Sequence, residues 1–164
     1  MIATVPVDSF QTARLTAERL APGHLENLAR LHLDPEVSRY PGGVRLPEAT
    51  RSWLDAQLAH WVECGFGIWV LRGADGAFAG RAGLRHIELD GIREIEILCS
   101  LAHTYWGRGL ATEITAALTE IWRTRMASPS RDRFRREHGL TPRPAEIRLR
   151  LRTHDSLPDR KSVV

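Results

Sequence analysis

Between Arg93 and Arg125 the spacing of apolar residues changes from two to nearly four, and the change falls on a single glycine-containing stretch, Trp106-Gly107-Arg108-Gly109-Leu110-Ala111. Upstream, REIEILCSL alternates Ile95, Ile97 and Cys99 against Glu94, Glu96 and Leu98, the period of a strand. Downstream, Leu110, Ile114, Ala117, Leu118, Ile121 and Trp122 share one helical face, with Glu113 and Glu120 outward. A strand that passes into an amphipathic helix through a short glycine loop restricts the chain to folds that pack helices on a sheet. The same order creates an anion site. The first helical amides lack intrahelical acceptors, the helix dipole adds positive potential, and glycine lets an oxygen approach the backbone. Arg108 adds a charge at that end. Two glycines also fit a plain strand-to-helix turn, and neither GxxxxGK[ST] nor GxGxxG is present.

The rest of the chain supplies the sheet and its helices. Arg14 to Leu20 reads as a first strand with Leu15, Ala17 and Arg19 on one face. Leu25, Leu28 and Leu31 recur at helical spacing, and Asp34-Pro35 ends that helix because a residue before proline avoids the helical region. Pro47 opens a longer helix with the apolar stripe Trp53, Leu54, Leu58, Trp61 and Val62, ending near Gly65. From Gly67 two β-rich runs flank the turn Gly73-Ala74-Asp75-Gly76, and Asp90-Gly91 turns the chain into the Arg93–Leu101 strand. AEIRLRLRT, with Ile147, Leu149 and Leu151 inward, reads as a further strand. The expected class is α/β, with a mixed, mostly antiparallel sheet flanked by helices.

At 164 residues this is one domain, 1–164. No apolar run approaches the roughly 20 residues of a membrane span, and the first 20 residues lack a signal-peptide core, so a cytoplasmic location is expected. Cys64 and Cys99 read as small buried hydrophobes, and without HExxH or clustered Cys/His spacing no metal is expected. Trp53, Trp61 and Trp69 read as core residues in preference to walls of a substrate pocket. The net charge of +3 is uneven: 11 arginines face 15 acids over residues 1–122, whereas 12 basic residues face 5 acids over 123–164.

EIEILCSLAHTYWGRGLATEI resembles the fourth strand, pyrophosphate loop and third helix of the GCN5-related N-acetyltransferase (GNAT) superfamily, especially the branch that acetylates ribosomal-protein N-termini. Of the family's [Q/R]xxGx[G/A] loop, Gly109 and Ala111 match the last two fixed positions and Trp106 takes the first, as it commonly does in that branch. DPEV at Asp34 to Val37, the Trp53 helix, GFGIWVL at Gly65 to Leu71 and FAGRAGL at Phe78 to Leu84 extend the likeness over about residues 1–125.

The resemblance implies an acetyl-CoA-dependent N-acetyltransferase acting by direct attack in a ternary complex, with a protein N-terminus or a small-molecule amine as acceptor. It implies a cleft in which pantetheine lies along main-chain groups near Cys99 and Leu101, with pyrophosphate in the cradle Trp106, Gly107, Arg108, Gly109, Leu110, Ala111 and Thr112. Attack needs a neutral amine, although a free amine is mostly protonated at pH 7, so a base is required. Glu96 matches the glutamate common on this strand and is the expected base, acting through water, with Glu94 in reserve. The opposing reading makes Glu96 a carboxylate on a solvent face, paired with a neighbouring arginine. Tyr105 reads as a packing or loop-anchor residue, and the general acid is unassigned.

The likeness weakens in the tail. Met126 to Pro144 reads as a basic loop or insertion, and 145–164 as a divergent strand and helix start, with Ser156 and Asp159 replacing the family's asparagine and serine and Val163 retained. The C-terminal region is shorter than the family's, which brings in an alternative: a catalytically impaired CoA-binding module. Ten arginines against three acids from Arg123 to Arg152 set a further alternative, binding of RNA or another polyanion, without an RNA-binding motif to support it. An exposed edge at Ile147 to Leu151 invites pairing, so a homodimer is expected.

Overall fold

In a computed structural model the described residues are 7–39 and 43–127, with residues 89, 92–94 and 125–127 described by their backbone alone. Five strands form one sheet in sequence order: β1 Ser9–Gln11, β2 Thr16–Arg19, β3 Ile68–Arg72, β4 Phe78–Leu89 and β5 Ile92–Leu101. Every neighbouring pair is antiparallel. Helices α1 (Leu25–Leu33), α2 (Pro35–Ser38) and α3 (Pro47–Cys64) connect β2 to β3, and α4 (Leu110–Ala127) follows β5. The strand expected at 145–153 and the loop expected at 126–144 lie outside the described residues, Met126 and Ala127 at the end of α4 excepted.

The local chemistry accounts for these elements. Pro35 and Pro47 sit in the first turns of α2 and α3, where a missing N–H costs nothing. Gly65, at φ 71°, closes α3 with its amide on the Trp61 carbonyl at 2.9 Å. Asp90 (φ 51°) and Gly91 (φ 76°) form the two-residue turn that sets the β4–β5 register. The core centres on Trp61, Phe66, Ile68, Trp69, Leu84, Ile95, Ile97, Ile114 and Leu118. Trp61 buries its indole without an orphan donor because Nε1 donates to the Ile68 carbonyl at 2.8 Å.

Four sequence expectations change. The first strand is half of a β1–β2 hairpin; β1 is three residues long, too short for its alternation to register. Val62 is 84% exposed. At 100° per residue the buried stripe runs through Thr50, Leu54 and Trp61, and Val62 falls beyond its flank. Trp53 is only partly buried, because it forms a wall of a cleft, whereas Trp61 and Trp69 are core as expected. Glu96 is 2% exposed, so the strand that carries it is buried on both faces and the solvent-face reading fails.

Candidate active site

The β5 strand positions two features, one at its C-terminal end and one on the face that carries Glu96. At the end, the Ala102 amide donates to the Ala79 carbonyl at 2.8 Å. Antiparallel pairing alternates, so the amides and carbonyls of Leu101, Cys99 and Ile97 point away from β4, along the strand's other edge. The Leu101 carbonyl there accepts from Trp106 Nε1 at 2.9 Å, and the Trp106 ring packs on the core. Trp106 is thus the anchor that fixes the loop to the strand. Tyr105 also packs on the core, and the Arg108 guanidinium lies 5.6 Å from its ring centroid.

Gly107 and Gly109 both have φ 72°, a left-handed conformation that glycine adopts at no steric cost. The Glu113 amide makes the first helical bond, to the Gly109 carbonyl at 3.1 Å. The amides of Leu110, Ala111 and Thr112 precede that bond and lie at the positive end of an 18-residue helix. One residue missed from sequence braces this end. Arg14 donates from its backbone N to Glu113 Oε1 and from Nε to Glu113 Oε2, both at 2.8 Å, and from Nη1 to the Arg108 carbonyl at 2.7 Å. Burial favours the neutral form of Glu113, but the hydrogen bonds from Arg14 and Thr12 and the Arg14 charge outweigh it and hold the carboxyl below its usual range. Glu113, expected outward, is therefore a structural partner of the loop.

On the face of β5, Glu96 lies opposite Arg85 of β4, and Arg85 Nε donates to Glu96 Oε2 at 2.6 Å. The arginine partner is what the opposing reading gave Glu96, whereas burial of the carboxylate is not, and Arg85 remains a third exposed. Beside it is a cavity of about 60 Å³ lined by Arg45, Trp53, Arg81, Arg85 and the Leu98–Ser100 stretch of β5. The Arg81 guanidinium lies 4.5 Å and that of Arg45 5.9 Å from the Trp53 ring centroid. Behind Trp53, at 5.2 Å, sits buried His32, whose Nδ1 is 2.9 Å from Thr50 Oγ1. Burial, then the charges of Arg81 and Arg45, lowers the His32 pKa from 6.5 to about 3.

The family model of the acetyltransferase (GNAT) domain matches residues 14–154. The chain belongs to this family. Among solved structures, one described as a GNAT-family acetyltransferase from Bordetella pertussis aligns at TM-score 0.63 and 21% identity, over 71% of this chain and 73% of that one. An acetyltransferase from Agrobacterium tumefaciens aligns at TM-score 0.57 and 27% identity, over 73% of this chain and 68% of the other. The ribosomal L7/L12 α-N-protein acetyltransferase RimL, solved with coenzyme A, aligns at TM-score 0.57 and 18% identity, over 82% of each chain.

In this GNAT domain the expected cofactor residues follow one another along the chain: Cys99 and Leu101 at the strand edge, Trp106 to Gly109 in the loop, and Leu110, Ala111 and Thr112 in the first turn of α4. Glu96 stands two positions before the cleft-lining stretch Leu98–Ser100, facing Arg85. The Glu94 side chain lies outside the described residues. Cys64 and Cys99 are both buried. No group of three or more His, Cys, Asp or Glu suited to a metal occurs among the described residues, and none of their helices is long and apolar enough to cross a membrane. Arg45, Arg81 and Arg85 are the cleft residues that sequence reasoning missed.

Proposed function

We propose that residues 1–164 form one acetyl-CoA-dependent N-acetyltransferase domain, transferring acetyl to a primary amine by direct attack in a ternary complex. The observation that carries this reading is the left-handed Gly107–Gly109 loop, which turns the chain at the positive end of α4 while Trp106 and Arg14 brace it. Pyrophosphate oxygens bind the amides of Gly109 to Thr112, and Arg108 adds charge. Pantetheine lies along the outer edge of β5, bonded to main-chain groups of Cys99 and Leu101, which aims the thioester toward the cleft beside Glu96. That RimL was solved with coenzyme A supports the choice of cofactor.

In the chemical step the amine nitrogen attacks the acetyl carbonyl carbon, a C–N bond forms, and the C–S bond breaks. Glu96, oriented by Arg85, takes the amine proton through a water, and solvent protonates the departing thiolate. No metal takes part.

Calorimetric titration of the full chain with acetyl-CoA, repeated with Gly109→Glu, tests the cofactor site. The substitution puts a side chain at a left-handed position and a negative charge in the cradle, so binding by the wild type and its loss in a folded variant are expected. A folded wild-type chain that does not bind acetyl-CoA would sink this reading.

A further inference from the structure

The cleft beside Glu96 concentrates positive charge. Arg45, from the segment before α3, and Arg81 and Arg85, from β4, line one cavity of about 60 Å³, and among the described residues Arg85 is ion-paired with Glu96. Arg45 Nη1 is buried and has no hydrogen-bond partner among the described residues. A buried cationic donor without an acceptor is costly, and such a group marks a place where a ligand or solvent completes the bonding. Trp53 holds the Arg45 and Arg81 guanidinium groups against one ring, so their positions are set before any ligand arrives. Burial, then the charge of Arg85, makes Arg45 harder to keep protonated, and the neutral His32 behind the same ring feels both Arg81 and Arg45. The crowding is relieved by an anion. Guanidinium groups match a carboxylate in charge and planar geometry, and the cavity has room for a few waters, the scale of one such group.

We propose that this cleft binds a carboxylate of the acceptor, so that the preferred substrate is a primary amine carrying a carboxylate within a few bonds of its nitrogen. The amine half of the proposal rests on the acetyltransferase reading; the anion site does not. Charge repulsion disfavours polyamines in the same cleft.

The test is calorimetric titration of the full chain, with and without CoA, using N-acetyl ω-amino acids of increasing chain length and their carboxamides, which differ by one charge. At least one carboxylate is expected to bind about tenfold or more tightly than its amide, as a charge-assisted hydrogen bond implies. Arg45→Gln and, separately, Arg81→Gln are expected to bring that ratio close to one while circular dichroism reports an unchanged fold. Equal affinities, or no binding of either ligand by the folded chain, would overturn the proposal. Tighter binding of an N-acetyl aminoalkyl phosphate would overturn the carboxylate assignment in favour of phosphate. Carboxylate binding by a chain that ignores CoA would refute the acetyltransferase reading and leave the anion site standing.

Discussion

The glycine loop and the cleft beside it face the same strand and are built in opposite ways. The loop presents backbone: its shape comes from two left-handed glycines and a helix start, and its side chains Trp106 and Arg108 hold or flank it. The cleft presents side chains: Arg45, Trp53, Arg81 and Arg85, drawn from two elements and a connecting segment and held by packing and by the ion pair of Arg85 with Glu96. Backbone recognition suits a cofactor common to a whole family, because it tolerates change in nearly every side chain. Side-chain recognition suits an acceptor that differs between members, because one substitution alters charge or size. The contrast teaches where tolerance to mutation should lie.

The largest expected effect is in the cleft. Glu96→Gln keeps an oxygen for Arg85 but cannot take a proton, so kcat should fall by about 10²- to 10⁴-fold while acetyl-CoA affinity, measured by calorimetry, stays close to wild type. Unchanged kcat would break the comparison by moving the base elsewhere. Next comes His32, whose pKa falls from 6.5 to about 3 on folding. The unfolded chain binds a proton that the folded chain excludes, so the stability at stake is intact above pH 6.5. It is lost at up to about 1.4 kcal/mol per unit as pH falls below that value, and the loss levels off near pH 3. Denaturant midpoints of wild type and His32→Gln across this window should differ in slope; parallel curves would contradict a buried neutral imidazole.

In the loop, Gly109→Ala meets no obstruction, since an added Cβ would find only Arg14 Nη2 at 3.7 Å. Its cost is conformational, about 1–2 kcal/mol for a left-handed residue, read as a lower denaturant midpoint. The smallest effect is at the brace. Arg14 is half exposed, so Glu113→Gln should cost under about 1 kcal/mol at pH 7. The Glu113 pKa is depressed on folding, so that contribution exists above the ordinary glutamate range and vanishes as pH falls through the folded-state value. Wild type and variant should then unfold at the same denaturant concentration.

The loop was legible from sequence because its determinants are contiguous and of a few types: strand alternation, two glycines, a helical face. Glu96 was legible as a residue and not as an environment. Alternation assigns every charged strand position to water, which fails where a helix and its leading segment cover that face. One signal was available. A two-residue turn at Asp90-Gly91 pairs residues equally distant on either side, which sets Arg85 opposite Glu96 and Arg81 opposite Ser100. Arg45 offered no such signal, since its approach to Trp53 depends on how the segment before α3 crosses the sheet. Arg14 is likewise invisible, 99 residues from Glu113.

That last separation bears on how the chain acquires its structure. Strands β3, β4 and β5 join through two tight turns, so the floor of the cleft is made of local pairings. The β2–β3 ladder joins Arg19 to Trp69 across all of α1 to α3, and the Arg14 brace spans farther still. Loop-closure entropy makes such distant contacts slower to form than adjacent hairpins. In refolding followed by pulse-labelled amide exchange, protection should therefore appear in β4 and β5 before β2. Simultaneous protection would mean that the nucleus already includes the N-terminal hairpin. On the expected order, the floor of the cleft takes shape while the glycine loop is still unbraced.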